Sequence, residues 1–574
     1  MNSILKYNID KKDFIPDLLR HKGIENVDLF LNPDESCEEN VYHLNNISQG
    51  ITDLNYAIKK GDRIGILIDE DADGFLSSTL FYFFFKYIEY DNIEFIFHEQ
   101  KSHGIILEEI PKGIGFLICP DAATSDYSEH EELNRDCIDI LILDHHEAIN
   151  GETISLNVTT INNQLSEKYQ NKALCGTGVT FKFLKEYCRQ QDVNLNMDQY
   201  LDLVAIAIVG DVMDLSTLEN RYYVDIGLHN IQNPFFKSLV EKRAFSIGSS
   251  IPTPTDVAFY LIPAINAIIR MGNMEEKKIL FNAITNGDIS VPSTKRGHKP
   301  DDTEILKEQA IRLCDNAIAR QKRERTKIAE LLQNEIAEQG WEDDKIIIGQ
   351  YYDEDKINTN LTGLAAMELA SYYQRPALVV HYNKENDTWS GSARGFGSAI
   401  PDLKKFFEDS NLFNYAAGHA QAHGVEFDNN NLQNIREYCN QHLANINYTT
   451  DNIYYVDCEC NYDDVYLITI ISQIDKYKGV WGHGVEEPLI CVKNIPIENK
   501  DILVMGNNGD SFKFTKNGIA YVKFKDMDFY NSIMENTDIK YLTVVCKANM
   551  NYWGGRSTPQ LFIQDYNLES IYDF

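Results

Sequence analysis

Hydrophobic positions in the first third of the chain fall in short runs, and the runs break at acidic turns. Ile64–Ile68 is apolar throughout and leads directly into Asp69-Glu70-Asp71-Ala72-Asp73-Gly74. A helical stretch, Phe75–Tyr90, follows. Asn92–Phe97, Gly115–Cys119 and Ile138–Leu143 read as further strands; the last two lead to Asp121 and to Asp144-His145-His146. Another apolar run, Leu203–Val209, ends at Gly210-Asp211. Continuous apolar strands alternating with helices predict a parallel sheet in a doubly wound α/β domain. In such sheets ligands gather at the carboxyl ends of the strands, where these acidic turns lie.

Further along, the pattern changes. GHKPDDTE (297–304) is polar, and the charged segment from Glu304 to Gln339 reads as a long solvated interdomain helix. A second, smaller α/β unit follows, with Lys345–Ile348 a strand, Leu361–Tyr373 a helix and Pro376–His381 a strand. From about 450 the chain holds short β-like runs: Leu489–Val492, Ile502–Met505, Ala520–Phe524, Tyr541–Cys546 and Gln560–Ile563. Turn pairs such as Asn517-Gly518 separate several of them, which predicts a small, OB-like β-barrel. The expected division is 1–295, a helical linker 296–344, 345–449 and 450–574.

The 574 residues suffice for about three or four domains at roughly 150 residues each. Lys and Arg number 53 against 87 Asp and Glu, a net charge of −34. A polyanion would therefore be held through local basic pockets or bound cations, not by the mean field. Eleven cysteines without a CxxC spacing suggest reduced thiols and a cytoplasmic location. The first residues lack an apolar signal core, and Phe75–Ile88 is short and carries Ser77, Ser78 and Thr79. It reads as a buried helix, not a membrane span. No Gly-Lys dipeptide occurs, which excludes a P-loop motor.

Candidate chemistry concentrates at the acidic turns. Asp69, Asp71 and Asp73 would repel one another in one pocket, and hard divalent cations relieve such repulsion. The Asp144-His145-His146 triplet offers a ligand, an orienting partner and a phosphate contact within three residues. With Asp121 and Asp211, the set is rich in carboxylates, carries one or two imidazoles and has no thiolate. That suits Mn²⁺ or Mg²⁺ better than structural zinc. Two such ions about 3.5–4 Å apart can activate water and stabilise phosphoryl transfer.

These motifs resemble the DHH phosphoesterase superfamily, and more narrowly its RecJ-like single-strand-specific exonucleases. Besides the triplet, LCGTGVTFKFL (174–184), GDVMDLSTLENRYYVDIGL (210–228) and TDVAFYLIPAINAIIRMG (255–272) look like that family's first domain. TGLAAMELASYYQRPALVV (362–380), SGSARGF (390–396) and AGHAQAHG (417–424) look like its second domain, called DHHA1. NYWGGRSTPQLFIQDY (551–566) looks like the end of its OB-fold. The resemblance implies that Asp69 and Asp71 bind one metal, that Asp73, His145 and Asp211 bind the other, and that Asp121 bridges both. His146 would contact the scissile phosphate. Ser392 and Arg394, helped by Arg270, would hold a terminal phosphate, with Gly418 and His419 near the substrate.

The sequence departs from the family pattern in three places. Gly-Gly-His reads Ala417-Gly418-His419, and PRIN reads Pro263-Ala264-Ile265-Asn266. The arginine before EGYG is missing from Gln100-Lys101-Ser102-His103-Gly104, where Lys101 offers a less specific point charge. His423 follows His419 by four residues, a spacing that fits one helix face.

The implied activity is 5′-to-3′ hydrolysis of single-stranded DNA to 5′-mononucleotides, with two Mn²⁺ or Mg²⁺ ions, in repair or recombination. The implied partners are single-stranded DNA and a single-strand-binding protein or helicase; no membrane is involved. Tyr552 or Trp553 could stack bases or be core. Two alternatives stay open. One is a phosphodiesterase for short oligoribonucleotides or cyclic dinucleotides, against which residues 450–574 argue. The other is a catalytically dead replication scaffold, against which the retained Asp71, Asp73, Asp121, His145 and Asp211 argue.

Overall fold

The computed structural model describes residues 1–98, 103–148, 157–352, 361–397, 399–446, 448, 453–506, 508–535, 540–553 and 556–570. By contacts these form two compact units, one of residues 1–263, 278–309 and 451–574 and the other of 264–277 and 310–450. The fold is α/β, as the alternation of runs predicts.

In the first unit, β1 (Ile64–Ile68), β2 (Ile93–Phe97), β3 (Phe116–Pro120), β4 (Asp139–Asp144) and β5 (Val158–Asn162) form a wholly parallel sheet in the order β2-β1-β3-β4-β5. Strands β1 and β3 are buried at every position, which is why they show no polar alternation. Helix α1 (Ala72–Tyr87) packs on α2 (Gly176–Gln190) and α3 (Leu201–Gly210). The hydroxyls of Ser77, Ser78 and Thr79 donate to the carbonyls of Gly74, Leu67 and Phe75, so this greasy helix buries them at little cost.

One local expectation is corrected, and one open assignment is resolved. α1 starts at Ala72, capped by Asp71, so Asp73 and Gly74 sit in its first turn. Gly74 therefore serves clearance, not a turn: a Cβ there would lie 2.6 Å from the Asp69 carbonyl oxygen. The apolar run before Asp211 is the helix α3, a distinction that periodicity cannot make in a fully buried segment. α4 (Leu218–His229) and α5 (Ile262–Met271) follow.

α6 (Leu306–Gln339) is a single helix of 34 residues. It is not the solvated rod that its charge suggests. Ile328, Leu332 and Ile336, four apart, are buried in the core of the second unit with Ile347, Leu369 and Val379. That unit carries β6 (Ile347–Tyr351), α7 (Thr362–Tyr373), β7 (Ala377–Asn383), β8 (Thr388–Arg394), β9 (Tyr415–His419) and β10 (Ala422–Asp428), in the order β9-β10-β8-β7-β6. Only β6 and β7 run parallel. His419 and His423 therefore flank a β-hairpin, with His423 opposite Gly418, and do not share a helix face.

The C-terminal strands are β11 (Cys458–Asn461), β12 (Ile490–Ile497), β13 (Leu503–Met505), β14 (Ser511–Lys516), β15 (Ile519–Lys523), β16 (Lys540–Trp553) and β17 (Arg556–Ser570). They form a mixed sheet in the order β11-β12-β16-β17-β15-β14-β13, consistent with an OB-like barrel. Asn517-Gly518 makes the tight turn between β14 and β15, both residues at positive φ. The N-terminal helix Phe14–His21 buries Phe14, Ile15, Leu18 and Leu19 in the core of this C-terminal sheet. Among the described residues no helix is long and apolar enough to cross a membrane, and all eleven cysteines are free.

Because Phe14 is fully buried in a core built mostly from residues beyond 457, Phe14→Ala should cost about 3–5 kcal/mol. Urea unfolding monitored by the C-terminal Trp481 should report it; an unshifted transition would show that the N-terminal helix is dispensable to that core.

Candidate metal centre and phosphate cradle

The site is built at the carboxyl ends of β1, β3 and β4, from turns that backbone hydrogen bonds fix, as the Asp121 N–H does by donating to the Leu143 carbonyl at 2.8 Å. Asp71 caps α1, accepting from the Gly74 N–H at 2.9 Å. Asp73 accepts from the Gly176 and Thr177 N–H groups at 2.7 and 2.9 Å, at the N-terminus of α2. Asp121 follows β3 at φ +69°, Ala123 stands at φ +78°, and Val212, beside Asp211, at φ +56°. Left-handed backbone at non-glycine residues costs about 1–3 kcal/mol each and clusters at functional sites. Gly176 leaves room for the Asp121 carboxylate, since a Cβ would come within 2.3 Å of its Oδ1.

Asp144 organises the triplet. It accepts from the backbone N–H groups of His145, His146 and Thr124, and its Oδ1 lies 2.8 Å from His146 Nδ1. Asn162 braces the turn through the Thr124 hydroxyl and the His146 carbonyl.

Carboxylate oxygens of Asp69, Asp71 and Asp121 lie within 4.8 Å of one another, as do ligand atoms of Asp73, His145 and Asp211. His145 Nε2 is 3.2 Å from Asp121 Oδ1 and 3.3 Å from Asp211 Oδ2. Among the described residues, both Asp121 oxygens, His145 Nε2 and Asp211 Oδ2 are buried without a hydrogen-bond partner. Orphaned carboxylate and imidazole atoms facing one another at such distances, with no thiolate among them, are the donor set of a hard divalent cation, and the residues fit one.

Electrostatics agree. Burial first, then the charges of Asp73 and Asp71, push Asp211 up to about 8 and Asp121 well above the carboxylate range. Burial and then Asp69 and Asp73 raise Asp71 to about 6. Burial depresses His145. Burial would depress His146 too, but the hydrogen bond and charge of Asp144 outweigh it and raise the imidazole to about 9. Asp144 stays well below its usual value: burial opposes this, and His146 and His145 overcome it.

The second unit gathers a different set. Ser392 and Arg394, two apart on β8, share a face. Ser392 Oγ is 3.1 Å from Thr362 Oγ1 in the first turn of α7, and a Cβ on Gly363 would lie 2.5 Å from Arg394 Nη2. Burial and then the charge of Arg270 lower the Arg394 guanidinium. Arg394 thus lies beside the N-terminus of α7 and within the field of Arg270, a position whose chemistry suits an anion. Gly418, at φ +125°, and His419 lie on β9, two strands from β8. Lys101 and the side chain of Trp553 lie outside the described residues. Thr124, Asn162, Thr362 and His103 are site residues that the motifs did not single out. Their only signal is position, next to a turn or helix start.

Comparison with known proteins gives the following. The description "DHH family, N-terminal domain" matches residues 63–208, and "RecJ OB domain" matches 456–565. A Bacillus subtilis protein named as an SPbeta prophage-derived single-strand DNA-specific exonuclease, YorK, is 34% identical, covering 98% of this chain and 97% of its own. The single-stranded-DNA-specific exonuclease RecJ of Bacillus subtilis is 22% identical over 96% of this chain and 67% of its own. The fold matches the crystal structure of RecJ in complex with Mn²⁺ from Thermus thermophilus, with a TM-score of 0.71 at 19% identity. That match covers 96% of this chain and 75% of the other.

Carboxyls raised on folding keep protons in the native state. Without metal, stability should therefore fall as pH rises through about 6 for Asp71 and about 8 for Asp211. His146, raised to about 9, acts with the same sign. Calorimetry from pH 6 to 9 should show this slope flattened in Asp211→Asn, with that variant more stable than wild type at pH 8.5. An unchanged slope would disprove the crowding of charge at Asp211.

Proposed function

The chain belongs to the RecJ-like branch of the DHH family, and on that footing we propose that it is a metal-dependent exonuclease. It would degrade single-stranded DNA 5′-to-3′ to 5′-mononucleotides, in repair or recombination. The observation that carries the reading is the cluster of buried, partnerless ligand atoms on Asp121, His145 and Asp211 beside Asp69, Asp71 and Asp73.

In this reading Asp69 and Asp71 would hold one Mn²⁺ or Mg²⁺, Asp73, His145 and Asp211 would hold a second, and Asp121 would serve both. When bound, such ions lower the pKa of water and neutralise charge building on the phosphate. The chain's own groups do the rest. His146, fixed through Nδ1 to Asp144, presents Nε2, and the Asp144 carboxylate favours the protonated ring that would donate to a phosphate oxygen. Arg394, Ser392 and Arg270 take the terminal phosphate, the arginines through forked donors. The Gly418 backbone, His419 and Lys101 contact the strand. In the C-terminal domain Tyr552 is 64% exposed, and its hydroxyl is anchored 2.6 Å from Asp475, so its ring is free to stack a base. With a net charge of −34, affinity must come from these local donors and the ions. A single-strand-binding protein or helicase is the class of partner that would present the strand.

Asp121→Ala should lower hydrolysis of single-stranded DNA by roughly three orders of magnitude with circular dichroism unchanged; wild-type turnover would remove Asp121 from the bridging role. A strand labelled at its 5′ end should release labelled mononucleotide first, and a ladder shortening from the 3′ end would reverse the polarity. Arg394→Ala should raise KM for 5′-phosphorylated strands about 10–100-fold relative to 5′-hydroxyl strands. Equal KM changes for both would separate Arg394 from end recognition.

A further inference from the structure

His103 has no part in the reading above, yet it touches one of its ligands. The residue lies between β2 and β3, and its side chain is half exposed. Its Nδ1 is 3.0 Å from Asp69 Oδ1. The Gly104 N–H reaches the same oxygen at 3.4 Å. Its ring meets that of His146 edge-on, with centroids 4.6 Å apart.

The aspartates of the cluster differ in what holds them. Asp73 is fixed by two short backbone bonds and Asp71 by its cap bond. Among the described residues, Asp69 has one long backbone contact and the imidazole. A carboxylate rotates easily about its terminal torsion, so an outer partner is what aims it. Such partners commonly tune metal affinity without touching the metal.

We propose that His103 is a positioning residue for the cation position formed by Asp69, Asp71 and Asp121. By donating from Nδ1 to Asp69 it fixes that carboxylate and sets the affinity of this position, not of the one formed by Asp73, His145 and Asp211. The neutral ring with its proton on Nδ1 suffices for this role. The inference rests on the two-ion reading.

The test is Mn²⁺ binding to the full-length protein, with free Mn²⁺ counted by electron paramagnetic resonance. Wild type should bind two ions. His103→Ala should weaken one of them about 10–100-fold and leave the other within about twofold, with thermal unfolding of the metal-free protein unchanged. His103→Asn, whose amide N–H can stand where Nδ1–H stood, should recover most of the loss. If His103→Ala binds both ions as wild type does, weakens both equally, or is not rescued by Asn, the inference fails while the two-ion reading survives. A wild-type protein that binds fewer than two ions removes both.

Discussion

Like-charge repulsion among largely buried carboxylates is the constraint on which this molecule is built. Five aspartates converge on one site; burial penalises the charges of Asp71, Asp121 and Asp211, and the neighbouring carboxylates add to it. Such an arrangement persists only if something rigid holds the groups there and something positive or protonated neutralises them. The rigid part is backbone. The Gly176 and Thr177 N–H groups, the cap bond of Gly74 and the extension of β3 through the Asp121 N–H to the Leu143 carbonyl each fix a turn before any cation arrives.

That scaffold accounts for features that would otherwise be liabilities. The left-handed residues Asp121, Ala123 and Val212 cost stability locally, and the closely packed parallel sheet beneath them supports that cost. Gly74 and Gly176 are small because carboxylates or their backbone pass within van der Waals contact. The greasy helix α1 can place Asp73 in its first turn because its internal hydroxyls are all satisfied.

The second unit solves the opposite problem. In a chain with 34 more acidic than basic residues, attraction for a polyanion has to be local. Arg394 and Arg270 lie close enough that each disfavours the other's charge, an arrangement with the same logic as the aspartate cluster and the opposite sign. An anion would relieve it as a cation would relieve the first. The expectation of phosphate chemistry thus rests on two clusters of like charge, one in each unit.

Much of this was legible in the sequence because it is local. Apolar runs that stop at Asp69–Asp73, Asp121 and Asp144–His146 fix both the parallel sheet and the edge at which chemistry occurs, since burial on both faces and a turn at the carboxyl end leave a pattern in adjacent residues. Motif order along the chain carried the family and the candidate ligands. Helix α3 escaped, because full burial erases the period that separates helix from strand, and so did the buried stripe of α6, masked by its charge. What joins Phe14 to the C-terminal core and sets His103 against Asp69 leaves no periodic trace. Those contacts are decided by packing between segments that meet only once the chain has closed on itself.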